Sequence, residues 1–447
     1  MSGRNYDLVL DKPLGQGGEG TVFRTTLGRL AVKLCQVDDD PTVAADLAAR
    51  LTKLSWLPLD GIPISRPEES LAEPHAGYVM PLLADMVALR TICDPPRGDL
   101  GPWYARGGGL RRRLRLLARC AEVLGLLHGR GIVYGDVSPG NVLISAPVDH
   151  AEVWFVDADN LQLESAVLGR RLVTPFYTAP EVLRGQTGNT VHSDVYSFAV
   201  IAFETLMANH PLLGDLVANG PVEYEDDVQR GLLPWVGHRT DDRNRSTQGG
   251  FSSRSILTAK LRELFARNFE DGLADWRRRP AAGEWADALW RAADLTVVCP
   301  SCAQTYYGTA EHCPWCKASP PPVVALQVLD QFPAPDMVGK PHIDDPHWFV
   351  LVQQRHDVIV RSRLVHRGDV EPDAAVLRVS WNGGGEVVVR NLGGTVRRVP
   401  ERGGNGRQVH PGGREVEQLA APWRYHFGPE RHHHRVLEIR PTEPVAR

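Results

Sequence analysis

One stretch constrains this chain more than any other: Gly131-Ile132-Val133-Tyr134-Gly135-Asp136-Val137-Ser138-Pro139-Gly140-Asn141-Val142-Leu143-Ile144. An apolar run at helical spacing leads into it and a β-prone run leaves it. Between them Asp136 and Asn141 stand five residues apart. A loop that must hold a hydroxyl and a divalent metal together needs such a pair, because the carboxylate can take the nucleophile's proton and the amide oxygen can ligate magnesium. A second apolar run that ends in acid follows, Val153-Trp154-Phe155-Val156-Asp157-Ala158-Asp159. Alone, D-x-S-x-x-N is a weak pattern, so its meaning depends on what surrounds it.

At 447 residues the chain exceeds one ordinary core, and two to three domains are expected. Hydrophobic content of 43% and charged content of 23% describe a globular protein. A net charge of −4 leaves no nucleic-acid footprint. Only six of the 50 basic residues are Lys, which reads as the coding bias of a high-GC bacterial genome. Met1 to Leu10 lack a basic flank followed by an apolar core, and no apolar run reaches about 18 residues, so neither a secretory signal nor a membrane span is expected. The expected location is the cytoplasm.

From the N-terminus, residues 6–34 read as a β-hairpin and a further strand. Gly15, Gly17 and Gly20 form G-x-G-x-x-G with Gly18 inside it. In dinucleotide-binding folds that pattern opens a helix, whereas here Val22 and Phe23 continue as a strand. The glycines therefore form a hairpin tip able to lay backbone N–H groups over phosphates. Lys33 lies in the following strand, Leu30-Ala31-Val32-Lys33-Leu34. Residues 42–57 are expected as a helix with Val43, Leu47, Leu51 and Leu54 on one side and Asp46 as its only acid. Asp46 is either a partner for Lys33 or a surface acid. Gly77 to Leu83 reads as a strand and hinge, and residues 110–129 as a helix that delivers the chain to the opening loop.

Six features in this order resemble a serine/threonine protein kinase over about 290 residues: the glycine hairpin, Lys33, Asp136 with Asn141, Asp157, Thr174-Pro175-Phe176-Tyr177-Thr178-Ala179-Pro180-Glu181, and Asp194 at the head of an apolar helix. Arg279 stands where such a kinase keeps the partner of the segment's glutamate, here Glu181. The resemblance implies a bilobal α+β kinase fold over residues 1–295, with lobes 1–83 and 84–295. ATP would lie against Gly15, Gly17, Gly18, Gly20, Val22, Ala31, Lys33, Met80 and Leu83. Asn141 and Asp157 would hold Mg²⁺, Asp136 would act on the hydroxyl, and Thr174 would help place the substrate. Pro81 offers adenine a carbonyl but no N–H. The chain departs from the family at Tyr134 and Gly135, which replace His and Arg, at Ser138, which replaces Lys, and at Ala158. Gly135 removes the arginine that reads a phosphorylated activation loop, so phosphorylation there is not expected to be the main switch. The missing helix Glu, Gly135 and Ser138 keep a second reading open, a pseudokinase scaffold. Phosphorylation of a small molecule is disfavoured by the Thr174–Glu181 segment.

The region is most similar to bacterial eukaryotic-like kinases with Gly-Gly-Glu-Gly in the phosphate loop and a run like Leu264-Phe265-Ala266-Arg267-Asn268-Phe269. Relatives of that kind imply zinc ribbons behind the kinase, protein substrates bearing Ser or Thr, and operon neighbours of the von Willebrand and metal-dependent phosphatase types. Residues 237–255, rich in Arg, Asp, Ser and Gly, are expected as a solvated mobile loop.

Cys299, Cys302, Cys313 and Cys316 give C-x2-C-x10-C-x2-C, the spacing of a closed four-thiolate zinc site of structural type. The expected ribbon spans 296–319. Cys35, Cys93 and Cys120 are expected as buried, inert thiols. Pro320-Pro321-Pro322 opens a presumed linker over 320–345, and 346–447 alternates like a β-sandwich that weakly resembles a forkhead-associated domain. The phosphothreonine-reading set is not found in register, which favours a general interaction domain. His432, His433 and His434 read as an exposed basic turn.

Overall fold

A computed structural model of the chain describes residues 4–17, 20–36, 41–164, 171–247, 249–333, 341–366, 368, 371–401 and 406–441, with backbone alone at 41–44. The chain divides into two compact units, Met1–Leu289 and Trp290–Arg447.

In the first unit a six-stranded antiparallel sheet runs in the order Leu8–Val9, Gly20–Thr25, Leu30–Cys35, Gly77–Pro81 and Glu69–Ser70, with Gly15–Gly17 paired to Gly20–Thr25. Register sets Lys33 opposite both Val22 and Tyr78. Two glycines are required by this close packing around the lysine strand. A Cβ on Gly20, whose φ is +155°, would lie 2.3 Å from the Leu34 carbonyl oxygen. One on Gly77, at φ +148°, would lie 2.0 Å from that of Lys33. Helix Pro41–Leu54 lays Leu47 and Leu51 on Ala31, Tyr78 and Met80. It stops at Leu54, three residues short of the expected end. The chain tightens there through Trp56 N–H to Lys53 and Leu57 N–H to Leu54, ahead of Pro58, whose ring disfavours helical backbone at Leu57.

The larger lobe is built on helices Gly109–His128 and Val191–Met207, with the short antiparallel pair Val142–Ser145 and Val153–Phe155 beside them. Leu114, Leu117, Leu124 and Leu127 are completely buried, as their helical spacing requires. Edge-to-face contacts link Phe198, Trp285, Phe265 and Phe203 in the core beneath. Glu181 and Arg279 form a bidentate buried pair at 2.6 and 2.7 Å. The 237–255 segment differs from the mobile loop expected of its composition. Asn244, fully buried, donates to the carbonyls of Leu212 and Pro234 and accepts from Val217 N–H, so a polar residue anchors the segment to the core.

The second unit opens with hairpin Thr296–Val298 and Thr305–Tyr307. Two sheets follow. One holds seven strands, in the order His342–Ile343, Val323–Phe332, His434–Pro441, Trp423–His426, Val396–Pro400 and Arg407–Val409, with Trp348–Gln353 also on Val323–Phe332. The other runs Val358–Arg361, Ala375–Trp381, Glu386–Asn391 and Arg414–Gln418. Three expectations are corrected here. The expected linker over 320–345 contains a long strand instead, because Val323–Phe332 pairs on both edges and seven of its ten residues are buried, while 334–340 lie outside the described residues; a strand covered on both faces loses the alternation by which strands are recognised. The ribbon and the β region also cluster as one unit rather than as two domains separated by a spacer. The histidine run is not wholly exposed either, for His434 is buried and shares a 2.9 Å hydrogen bond with His426. Arg398, from the seven-stranded sheet, pairs with Glu417 of the four-stranded sheet at 2.6 and 2.7 Å and ties the sheets together by charge.

The Glu181–Arg279 pair gives a stability test. Replacing Arg279 by Met strands a buried carboxylate and should cost about 3–5 kcal/mol, whereas the double replacement Arg279→Met with Glu181→Leu should cost much less. Urea unfolding monitored by tryptophan fluorescence measures both; equal costs would refute the pairing argument.

Candidate functional site

The opening loop takes its shape from a buried acid. Asp194, 1% exposed in the first turn of Val191–Met207, accepts the backbone N–H groups of Tyr134 at 2.7 Å and Gly135 at 2.8 Å, and lies 3.1 Å from His128 Nε2. Thr190 and Ser193 form a reciprocal capping box that fixes this helix start. Tyr134, in the family's His position, is fully buried, packs edge-on against Phe155 and donates its hydroxyl to the Val156 carbonyl. It thereby ties the loop that carries Asp136 to the strand that precedes Asp157.

Asp136 stands between two donors. Asn141 Nδ2 reaches its Oδ2 at 2.7 Å and its carbonyl at 3.0 Å, and the Thr174 hydroxyl donates to its Oδ1. Val156 N–H donates to the Asn141 carbonyl at 3.0 Å, so Asn141 and Asp157 flank the same strand pair. An amide oxygen and a carboxylate presented from neighbouring strand ends suit a hard divalent cation, so the residues fit Mg²⁺.

Lys33 crosses from the small lobe to the acidic turn. Its Nζ lies 2.9 Å from Asp157 Oδ1 and 3.3 Å from Asp159 Oδ1. Burial works against the ammonium, yet the two carboxylates outweigh it and hold Lys33 above the ordinary lysine range. Asp157 has left-handed backbone, φ 53°, which turns its carboxylate back towards Lys33 at the head of a one-turn 3₁₀ helix. Asp46 does not meet Lys33. Its side chain is 68% exposed and pairs with Arg50 at 3.2 Å, one helical turn on.

Asp159, Arg50 and Tyr78 were not expected here. Arg50 Nη1 lies 3.6 Å from Asp159 Oδ2, and the Tyr78 hydroxyl donates to Asp159 Oδ1 at 2.9 Å. Burial first, and then Asp159, push the Tyr78 hydroxyl well above its ordinary value. The sequence carried one signal, the second acid of Asp157-Ala158-Asp159. Of the nucleotide-side residues, Gly15, Gly17 and Gly20 flank the hairpin tip, Gly18 lies outside the described residues, and Val22, Ala31 and Met80 line the core facing Lys33. Leu82 N–H donates to Arg29, which leaves Leu83 to follow the strand end at Pro81.

Gly135 sits at φ 87° and its carbonyl accepts from Asn189 Nδ2 at 2.9 Å. Asn189 Oδ1 takes the Leu172 N–H at 2.7 Å. A neutral amide thus joins the loop that carries Asp136 to the segment around Leu172. Below that segment, Tyr177 donates to Glu204 at 2.9 Å; burial lifts the Glu204 carboxyl to about 7, against the Tyr177 hydrogen bond.

In the second unit the four cysteine sulfurs of the expected ribbon lie within 4.8 Å of one another. Cys299–Cys316 and Cys302–Cys313 are 3.5 and 3.7 Å apart. A tetrahedral zinc with bonds of about 2.3 Å needs sulfur edges of about 3.8 Å, so the residues fit the ion. Each knuckle turns alike: Ala303 N–H returns to Cys299 and Lys317 N–H to Cys313, and both Ala303 and Lys317 have positive φ. Cys93 and Cys120 are buried, with burial raising both thiols, and Cys35 is half-buried. No helix among the described residues is long and apolar enough to cross a membrane.

Residues 111–234 match the protein kinase domain family. Among curated proteins the chain is similar to the DNA damage-responsive serine/threonine-protein kinase RqkA of Deinococcus radiodurans, 27% identical over 66% of this chain and 45% of that protein. It is similar to the serine/threonine-protein kinase pkn2 of Myxococcus xanthus, 30% identical over 47% of this chain and 26% of that one. To PknB of Mycolicibacterium smegmatis it is 29% identical over 31% and 21%. The chain spans less than half the length of each of these relatives. The matched segment contains Asp136, Asn141, Asp157, Thr174 and Asp194, so the chain carries a protein kinase domain, followed by a separate β-rich region.

Proposed function

We propose that this chain is a bacterial serine/threonine protein kinase that transfers the γ-phosphoryl group of ATP to hydroxyl groups of protein substrates. The observation that carries this reading is Asp136, held between Asn141 and Thr174 with one oxygen on each donor. So held, the carboxylate orients an incoming hydroxyl and accepts its proton. Lys33 positions the α- and β-phosphates, and Asn141 and Asp157 hold the magnesium. Bound Mg²⁺ neutralises charge on the transferring phosphoryl group. The hairpin around Gly17 and Gly20 covers the phosphates with backbone N–H groups. Thr174 supports the serine/threonine assignment because its hydroxyl links the activation segment to Asp136.

The cysteine cluster we read as a structural zinc ribbon, and the two sheets as an interaction module of weakly forkhead-associated-like character. Phosphatase and von Willebrand-type partners rest on the resemblance alone, as does a cytoplasmic location. A pseudokinase scaffold is favoured by one feature, the engagement of Lys33 by both Asp157 and Asp159, since nucleotide and metal must draw Asp157 away from it.

Phosphoryl transfer from ATP-Mg²⁺ to the chain itself and to a generic basic protein decides between these readings. Asp136→Asn and Lys33→Ala should each lower the rate on the order of a hundredfold or more. Absence of transfer with retained ATP binding would establish the scaffold. For the ribbon, metal analysis should find one zinc per chain, and Cys313→Ser should lose it and destabilise the second unit; purified protein without zinc and with four freely reactive thiols refutes the site.

A further inference from the structure

A lysine that holds phosphates must itself be held. Lys33 is 3% exposed, on a flexible four-carbon stem, and an unpaired ammonium there would be costly and poorly aimed. Helix Pro41–Leu54 offers no acid for the task, because Asp46 points to solvent and the inward-reaching charge is the cation Arg50. The helix has the opposite sign from what a lysine-orienting element requires.

The charge balance is restored from the other side of the site. Asp157 and Asp159 both touch Lys33, but their surroundings assign them different work. The Asp157 side chain is 28% exposed and belongs to the pair that suits magnesium. The Asp159 side chain is 2% exposed, and its oxygens already face Lys33, Tyr78 and Arg50. Arg50 Nη1 also reaches the Asp159 carbonyl at 3.4 Å, which fastens the helix to the turn through backbone as well as side chain. A carboxylate so deeply buried, with one oxygen already on two donors and the other facing a cation, is a less accessible metal ligand than Asp157. It is well suited to hold Lys33 through a charge-assisted hydrogen bond and Arg50 through a longer ion pair.

We propose that Asp159 is the positioning residue for Lys33 and replaces the missing helix acid, with Arg50 coupling the helix to the same carboxylate. The chain of charge runs from Asp46 to Arg50, to Asp159, to Lys33. When the metal engages Asp157, Asp159 keeps Lys33 aimed at the phosphates. Helix and metal turn then move as one body, without an ion pair directly between helix and lysine. This deepens the phosphotransfer reading and rests on it for its catalytic consequence, whereas the lysine's electrostatic dependence on Asp159 is measurable without any activity.

The test uses the full chain without nucleotide, with acetic anhydride as the probe of free amine at Lys33, quantified by mass spectrometry at pH 9. Asp159→Asn removes one of two close anions and should speed Lys33 acylation about tenfold or more. Arg50→Gln removes a competing cation from Asp159 and should slow it. A general loosening of the lobe would speed acylation in both variants, so the opposite signs separate electrostatics from unfolding. Arg50→Glu added to Asp159→Asn should restore slow acylation by returning an acid to the helix. In the transfer assay Asp159→Asn should lower kcat/KM for ATP on the order of a hundredfold through misplacement of the lysine, with recovery in the Arg50→Glu double variant. Acylation unaffected by Asp159→Asn, or equally fast in both single variants, overturns the proposal. A wild-type chain that transfers nothing but keeps the acylation contrast refutes the kinase reading and supports the lysine's dependence on Asp159; transfer without the contrast does the reverse.

Discussion

Everything at this site hangs on one buried carboxylate that performs no chemistry. Asp194 sits at the start of a helix buried from Ser193 onward, where the helix dipole favours negative charge, and takes two consecutive backbone N–H groups from the loop that carries Asp136. Those two bonds set the direction in which the loop leaves Tyr134. Asp136 and Asn141 then face one another because the intervening residues close a short turn, with Asn141 N–H returning to Ser138. Without the anchor, the donors around Asp136 would have no fixed partner to converge on.

A second constraint is charge balance in a dry place. Lys33 and Arg50 on one side meet Asp157 and Asp159 on the other, two cations and two anions. Such a quartet is tolerable under burial because each charge is paired, although each ion still carries a desolvation cost. The same sign balance could be met with an acid on the helix and none at position 159. Here the acid moved to the turn and the helix took up a base. That exchange keeps the lysine oriented while changing which element controls it. The neutral bridge through Asn189 follows a similar logic, since its amide joins the Gly135 carbonyl and the Leu172 N–H without a charged partner.

Much of this was legible in the sequence because it is written locally. The glycine hairpin was read from G-x-G-x-x-G, and the structure adds that a Cβ on Gly20 or Gly77 would collide with backbone of the lysine strand. Asp136 and Asn141 lie in one short loop, five residues apart, whereas Thr174 was marked only by the resemblance of its segment. Asp159 was harder to interpret: an acid two residues beyond another acid says nothing about which cation will reach it from helix Pro41–Leu54, 109 residues away for Arg50. Val323–Phe332 was misread for a related reason, since a strand buried on both faces has no alternation and its neighbours come from far along the chain.

The sequence by itself determined most of the elements and the candidate residues of the opening motif, because helix spacing, turn glycines and cysteine knuckles act over a few residues. The tertiary structure alone decided the pairings: Lys33 with Asp159 rather than Asp46, Arg279 with Glu181, Arg398 with Glu417, and the seven-stranded sheet closed around Val323–Phe332. The physical reason is that a buried charge takes whichever partner packing brings within reach, and packing depends on the whole chain at once.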